Sequence, residues 1–183
     1  MRLETERLLL RKPAAEDLDG YVAMLSDPEV VRFIGGETGG QKEAADSIER
    51  MLSHWERHGI GLFTVVRKDD ERMIGRTGFL LWDPERWINA LREELDGALE
   101  TEIGWTFGRA FWNHGYATEA ATACRDTALG ELGKTRLVSL IAQGNTPSVR
   151  VAEKIGESLE REDVPGPFKR RVDLYSLGNR PAR

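Results

Sequence analysis

One helical segment constrains the fold of this 183-residue chain more than any other, because its inner stripe consists of small residues. Small side chains let a helix backbone lie close against a sheet. Strand patterns flank the segment at 101–107 and 136–142, and the second is apolar at nearly every position, as in a strand buried on both faces. The pattern predicts a helix over 116–132 within a right-handed β-α-β crossover. The stripe consists of Ala117, Ala120, Ala121, Cys124 and Ala128.

The rest of the chain alternates between strand and helix patterns. Ile48, Met51 and Trp55 recur at helical spacing and predict a helix over 42–58, with Gly59 placed as its C-terminal cap. Asp83-Pro84 is typical of a helix start and predicts a short helix that ends at Gly97. The other predicted elements are a strand at 7–11, a helix at 16–25, a hairpin of strands 62–66 and 73–80, a helix at 146–155, and strands at 158–162 and 171–177 separated by a loop at Pro165-Gly166-Pro167.

Length and composition narrow the class of protein. The length predicts a single domain over 1–183, in the α/β (α+β) class, with a mixed sheet. A net charge of −5 argues against a nucleic-acid partner, and no apolar run is long enough to span a membrane. The lone Cys124 cannot form an internal disulfide, so we expect a cytoplasmic protein. No Cys/His cluster predicts a metal site, and His54 and His58 are interpreted as a solvated helix face.

The acidic residues are concentrated in one segment. Residues 83–102 contain seven acidic and two basic residues and so carry the whole net charge of −5. One interpretation is a solvated helix face. The other is an electrostatic attractor for a cationic partner, formed by the predicted helix that includes Glu93, Glu94 and Asp96.

The stretch from Glu102 to Ala117 carries the strongest chemical signal. A strand is followed by a turn rich in small residues and then at once by a helix. The first N–H groups of a helix are unpaired and carry partial positive charge, so this arrangement predicts a site for a phosphate or carboxylate. The glycine spacing matches neither a Walker A loop nor a Rossmann fingerprint.

Three segments together resemble GNAT-superfamily acetyltransferases, and within them the RimJ/RimL branch of ribosomal-protein N-acetyltransferases. The loop Trp112-Asn113-His114-Gly115-Tyr116-Ala117 is similar to the pyrophosphate loop of that superfamily, and it continues into Thr118-Glu119-Ala120 as in this branch. The two other segments are the opening Glu4-Thr5-Glu6-Arg7-Leu8-Leu9-Leu10-Arg11 and the stretch from Asn145 to Gly156, Asn-Thr-Pro-Ser-Val-Arg-Val-Ala-Glu-Lys-Ile-Gly. The resemblance covers nearly the whole chain and implies a GNAT-like sheet, mostly antiparallel, splayed between its fourth and fifth strands, with helices on both faces.

The resemblance also implies transfer of an acetyl group from acetyl-CoA, a co-substrate, to an amine, without a metal. The backbone at Thr106 and Phe107 is then expected to bind the pantetheine arm. Backbone N–H groups of Asn113, His114, Gly115, Tyr116, Ala117 and Thr118 are expected to hold the pyrophosphate. Asn145 and Ser148 would contact the pantetheine or the departing sulfur, although Asn145 can also be a helix cap and Ser148 a first-turn polar residue.

The catalytic roles are less specific. Glu102 is the candidate base that takes the proton of the amine, since an alkyl ammonium has a pKa of about 10.4. The alternative is a strand glutamate paired with a neighbouring basic residue. Many relatives have a tyrosine where this chain has Ala152. Ser148 is therefore the candidate proton donor to the sulfur, with Tyr175 as a weaker candidate.

The acceptor and the acyl group are open. We expect a small amine or a protein N-terminus, with a cationic amine favoured by the acidic segment. The alternatives are transfer of another acyl group such as succinyl, and a non-catalytic CoA-binding or interaction protein. The chain is expected to be a monomer or a homodimer.

Overall fold

This computed structural model describes residues 1–91, 93–166 and 171–178. The strands of this described part form one sheet. The strand order is β1-β2-β3-β4-β6-β7-β9-β8, and β5 pairs with β4. The strands are β1 (Leu3–Glu4), β2 (Leu8–Arg11), β3 (Leu62–Arg67), β4 (Arg72–Asp83), β5 (Ile88–Asn89), β6 (Glu100–Phe107), β7 (Arg136–Ala142), β8 (Ser158–Pro165) and β9 (Arg171–Gly178). The helices are α1 (Leu18–Leu25), α2 (Pro28–Val31), α3 (Gln41–His58), α4 (Tyr116–Leu129) and α5 (Thr146–Lys154).

The pairing of β6 with β7 departs from the rest of the sheet. It is parallel and has a single register pair, Glu102 with Val138, whereas β4 and β6 are paired antiparallel from Gly75–Phe107 to Trp82–Glu100. Helix α4 connects the two parallel strands, which confirms the predicted crossover. The two strands therefore diverge after one contact, and the predicted splay between the fourth and fifth long strands is confirmed.

Helices cover both faces of the sheet. On one face, α4 packs against a core that includes Phe63, Phe79 and Ile103. On the other face, α1 and α3 bring Tyr21 and Met51 against β3 and β4. The small stripe of α4 is confirmed, because Ala120, Ala121, Cys124 and Ala128 have no exposed area.

The predicted helix after Asp83 is wrong. The Asp83 carboxylate accepts the N–H groups of Glu85 and Arg86, at 2.8 and 3.0 Å, and so closes a turn. Trp87 then adopts a left-handed φ of 56°, which no α-helix tolerates. The chain doubles back as β5, which pairs Ile88 with Asp83. An aspartate that caps a turn through its side chain has therefore outweighed the apolar spacing of the segment.

The interpretation of His54 as a solvated residue is also wrong. His54 is fully buried, and its Nδ1 lies 2.8 Å from the carbonyl of Ile60. Burial lowers the pKa of His54 to about 4, so the ring is neutral and bridges the end of α3 to the strand that follows. Among the described residues, no group of three or more His, Cys, Asp or Glu side chains could hold a metal ion.

The residue that follows α5 and its terminal glycine, Glu157, has a buried carboxyl group with no hydrogen bond or ion pair to a described residue that would offset its burial. Glu157 is 4% exposed, and both of its carboxylate oxygens are buried without a hydrogen-bond partner. Burial raises the pKa of Glu157 to about 7. A carboxyl whose pKa is higher in the folded than in the unfolded state lowers stability as the pH rises through the folded-state value.

We therefore expect Glu157→Gln to stabilise the protein in a pH-dependent way. The free energy of unfolding of the wild type falls between about pH 4.5 and 7 through this group, and the variant loses that component. The gain should be near zero at pH 4.5 and reach up to about 3 kcal/mol at pH 8. Urea unfolding at both pH values measures it, with Glu162→Gln, an exposed position on β8, as the control. A gain that is the same at both pH values would contradict the assignment.

Candidate active site

The loop between β6 and α4 is held in a fixed shape by its own side chains. The indole N–H of Trp112 donates to the carbonyl of Phe107 at 2.7 Å and folds the loop back on the end of β6. Asn113 and Gly115 both have left-handed φ values, 63° and 81°. Asparagine and glycine are the residues that adopt this conformation at low cost, so the local sequence accounts for the turn into α4.

The turn leaves a row of backbone donors at the start of α4. The first ladder bond joins the N–H of Glu119 to the carbonyl of Gly115, at 3.0 Å. The N–H groups of Tyr116, Ala117 and Thr118 therefore precede the hydrogen-bond ladder and carry the positive end of the helix dipole. The side chain of Tyr116 is buried, so this residue offers its backbone only. Asn113, His114 and Gly115 are exposed beside these donors.

One carboxylate, that of Glu119, binds the N-terminal segment at Thr5 and Arg7 to the start of α4. The sequence did not predict this contact. Glu119 accepts the Thr5 hydroxyl at 2.5 Å, the backbone N–H of Arg7 at 2.9 Å and Arg7 Nε at 2.7 Å. Arg7 Nη1 donates in turn to the carbonyl of His114 at 3.0 Å, and its guanidinium lies 4.6 Å from the ring centre of Tyr116. Burial raises the pKa of Glu119, but the hydrogen bonds from Thr5 and Arg7 lower it overall.

A cavity of about 340 Å³ opens where β6 and β7 diverge. Four of the predicted site residues line it: Glu102 and Thr106 from β6, and Asn145 and Ser148 from the start of α5. Phe107 is buried and lies outside the lining, as do residues 113–118 at the end of the splay. The structure therefore brings together the residues expected near the reacting atoms and keeps the helix N-terminus apart from them.

The two polar residues of α5 have structural partners as well. Asn145 caps the helix, since its side-chain oxygen accepts the N–H of Ser148 at 3.3 Å, which is the alternative role that the sequence left open. The Ser148 hydroxyl oxygen accepts the indole N–H of Trp105 at 3.3 Å and keeps its own proton available to donate. Ala152 and Tyr175 belong to one apolar cluster, and neither lines the cavity.

Glu102 lies in an apolar part of this cavity. It is 8% exposed, and the indole N–H of Trp82 donates to its carboxylate. Burial raises the pKa of Glu102 to about 8; Trp82 and Arg76 offset part of the rise, and the nearby Glu157 adds to it. Among the described side chains, none forms an ion pair with Glu102, which removes the alternative of a strand glutamate paired with a basic residue. The group is thus a carboxyl that exchanges its proton near neutral pH.

The acidic segment does not form a charged wall of this cavity. Glu93 is bound by Arg86 at 3.0 Å, and Glu100 by Arg136 at 3.0 Å. Of the described residues in 83–91 and 93–102, those that line the cavity are Asn89, Leu91 and Glu102. The electrostatic attractor was predicted on a helix that the chain does not form, so the acceptor must be inferred from the cavity itself.

The fold and the comparisons with known proteins define the chain as an acyltransferase. It belongs to the acetyltransferase (GNAT) domain family, which it matches over residues 7–157. It is 28% identical to the uncharacterized N-acetyltransferase p20 of Bacillus licheniformis, over 94% of this chain and 92% of that relative.

Solved structures share the fold over nearly the whole chain. A GNAT-family acetyltransferase from Bacillus anthracis superposes with a TM-score of 0.78 at 25% identity, covering 97% of this chain and 98% of that one. RimL, the ribosomal L7/L12 alpha-N-protein acetyltransferase in complex with coenzyme A, superposes with a TM-score of 0.74 at 14% identity, covering 97% and 98%, which shows the fold alone.

The contacts of Glu119 generate a test of the loop. If the N-terminal segment positions the loop, both Arg7→Gln and Glu119→Gln should weaken acetyl-CoA binding, each about tenfold, because each removes hydrogen bonds to a charged group. Calorimetric titration with acetyl-CoA measures the Kd values. If only the local charge matters, the two variants will change affinity in opposite directions, which would contradict a positioning role. Glu131→Gln, exposed beyond the end of α4, is the control.

Proposed function

We propose that this protein is an acetyl-CoA-dependent N-acetyltransferase that acetylates a primary amine by direct attack within a ternary complex. The observation that carries the proposal is the cavity at the splay of β6 and β7, which is lined by a buried carboxyl, Glu102, and by a hydroxyl, Ser148. A proton acceptor and a proton donor in one cavity are the two groups that amine attack on a thioester uses.

The proposed path of acetyl-CoA follows the unpaired backbone. Beyond the pair of Glu102 with Val138, β6 has no further register pair with β7 among the described residues. The backbone of Thr106 faces β4, where this residue pairs with Arg76, so the edge of β6 that is free to hydrogen-bond the pantetheine arm, as an added strand would, lies at Trp105 and Phe107. The Phe107 carbonyl already accepts the Trp112 indole, which leaves its N–H as the donor to consider. The pyrophosphate would then bind the N–H groups of residues 113–118.

The chemical step balances with these two side chains. The amine nitrogen attacks the carbonyl carbon of the thioester, the C–N bond forms and the C–S bond breaks. The ammonium proton passes to the Glu102 carboxylate, directly or through water. The CoA thiolate leaves and receives the proton of the Ser148 hydroxyl, which the Trp105 N–H orients. The second proton of the attacking nitrogen passes to the Ser148 oxygen through water and restores the hydroxyl, and Glu102 releases its proton to solvent. A raised pKa makes Glu102 a better match for an ammonium than an exposed carboxylate would be.

Several finer assignments belong to this proposal. The resemblance to the RimJ/RimL branch and the fold shared with RimL favour a protein N-terminus or a small amine as acceptor. We place the protein in the cytoplasm, as a single domain that is a monomer or a homodimer. Among the described residues, no helix combines the length and the apolar character that a membrane span requires. The loop recognises CoA rather than the acyl group, so succinyl transfer and CoA binding without turnover are the alternatives.

Calorimetric titration with acetyl-CoA tests the donor site. We expect acetyl-CoA to bind, and ATP and NADH to bind far more weakly, because the adenosine phosphates alone leave the edge of β6 unfilled. Succinyl-CoA is titrated in parallel to compare acyl groups. Absence of binding by every CoA ester would contradict the proposed donor site. CoA binding without release of free thiol, with any amine of a panel, would favour the non-catalytic alternative.

The pH dependence tests the base. The wild type should show kcat/KM rising with pH to an apparent pKa near 8, because Glu102 must lose its proton before it can act. Glu102→Gln should lose about 100-fold in kcat/KM at pH 8.5 and lack this limb of the profile. Glu153→Gln, exposed on α5, is the matched control and should keep the wild-type profile. Near-normal turnover of Glu102→Gln at all pH values would show that the base is another group.

A further inference from the structure

An arginine lies in the wall of the cavity, apart from the groups that the proposed chemistry uses. Arg76 is in β4, where it pairs in register with Thr106, and Leu80 on the same face pairs with Glu102. Arg76 and Glu102 therefore line the same cavity from two levels of the sheet. The levels are four residues apart on the backbone, and the two side chains are near enough that Arg76 lowers the pKa of Glu102.

Arg76 has one side-chain hydrogen-bond partner among the described residues. Its Nη1 donates to the hydroxyl of Ser47 on α3 at 3.3 Å. Among the described residues, no carboxylate lies within ion-pair distance of it. Burial lowers the pKa of Arg76 and the nearby Arg50 lowers it further, whereas Tyr21 and the Glu102 carboxyl oppose this effect in part. A guanidinium that is withdrawn from water and carries only a hydroxyl partner retains most of its five donors for a ligand.

Two other arginines that are largely withdrawn from solvent form ion pairs with carboxylates of the protein. Arg11 contacts Asp17 at 2.7 Å, and Arg136 contacts Glu100 at 3.0 Å and Glu160 at 2.7 Å. Each of these pairs neutralises its guanidinium inside the protein. Arg76 departs from the pattern at the one place where a substrate is expected.

Besides Glu102, two acidic side chains line the cavity among the described residues, Glu37 and Glu43. Glu43 lines the cavity, and its carboxylate accepts the N–H of Gly40 at 2.8 Å, where it caps α3. Hydrogen bonds from the backbone N–H groups of Glu43 and Gly40 lower the pKa of this carboxyl. Arg50 and Arg76 are the basic side chains that line the cavity among the described residues, and Arg76 offers its remaining donors to an anion there.

The space between Arg76 and Glu102 is open. Gly104 lies between their two levels on β6, and a Cβ atom built there would meet only Glu102 Oε1, at 3.8 Å. Any side chain at this position would project into the cavity beside the carboxyl. The absence of one leaves room for substrate atoms between the carboxyl and the guanidinium.

We propose that Arg76 binds a carboxylate of the substrate, so that the acceptor is a small amine that also carries a carboxylate. This inference rests on the proposed function and names its substrate class. The amine would lie near Glu102 and the carboxylate on the guanidinium, a pairing that planar, two-pronged arginine donors favour. The carboxylate could also come from a succinyl group on the donor. The acceptor is the favoured source because Ser47 holds Arg76 on the α3 side, whereas the thioester is expected beside Ser148 on α5.

The first experiment compares acceptors that differ only in the carboxylate. Acetyl-CoA is used with 4-aminobutanoate and 6-aminohexanoate, and with butylamine and hexylamine as the matched amines. The wild type should prefer the amino carboxylates by about 10- to 100-fold in kcat/KM, as for hydrogen bonds to a charged group. Arg76→Gln should abolish the preference, and Arg76→Lys should restore part of it. Because the ratio is taken within each enzyme, any change that Arg76 causes through Glu102 cancels.

A charge control and a direct measurement of acceptor binding accompany this comparison. Arg72→Gln removes the same charge from an exposed position on the same strand and should leave the ratio unchanged. Binding of the same acceptors to the protein with CoA is followed through the fluorescence of Trp82 and Trp105, which line the cavity. Binding of the carboxylates that Arg76→Gln weakens at least tenfold supports the proposal even without turnover. Absence of CoA binding in the wild type would instead overturn the proposed function.

Three results would overturn the proposal itself. The wild type would show no preference for the carboxylate, or Arg76→Gln would lower kcat/KM equally for both members of a pair, or the variant would lose acetyl-CoA affinity instead.

A further experiment assigns the source of the carboxylate. If Arg76→Gln impairs only the use of succinyl-CoA, with butylamine as acceptor, Arg76 binds the acyl group and the acceptor assignment is wrong.

Discussion

The single register pair between β6 and β7 is the constraint on which the site depends. Parallel strands normally continue side by side, but here the pairing ends with Glu102 and Val138, and the Ser139 hydroxyl donates to the Ile103 carbonyl at 2.9 Å at the point of divergence. A polar backbone edge cannot remain inside a protein without a partner. The gap is therefore suited to a ligand that brings its own amide groups, as the pantetheine arm does.

The same divergence sets the acidity of Glu102. The carboxyl lies where the sheet is still closed, so it is withdrawn from water, and an indole rather than a basic side chain is its partner. One residue pair further along, the chain opens into the cavity. A proton-exchanging group at the boundary between closed and open sheet is a direct result of where the pairing stops.

Much of this organisation can be predicted from the sequence, and the exceptions have physical reasons. The small stripe of α4 predicts its close packing, and the order of elements predicts the crossover. The helix expected after Asp83 fails because side-chain hydrogen bonds to the backbone select a turn, an effect that apolar spacing does not report. The link from Glu119 to Thr5 and Arg7 joins residues more than a hundred positions apart, which no local pattern reveals. That Arg76 has no carboxylate within ion-pair distance among the described residues likewise depends on which side chains surround it in space.

Gly104 has a consequence for the divergence of such enzymes. Its position faces open cavity rather than core, so a larger residue there would meet the Glu102 side chain and little else. A single codon change can therefore shorten the acceptor site without disturbing the packing that holds the sheet together. Selection for a new substrate then has a route that costs little stability, and a lineage of similar folds can spread over many acceptors while its donor site stays the same.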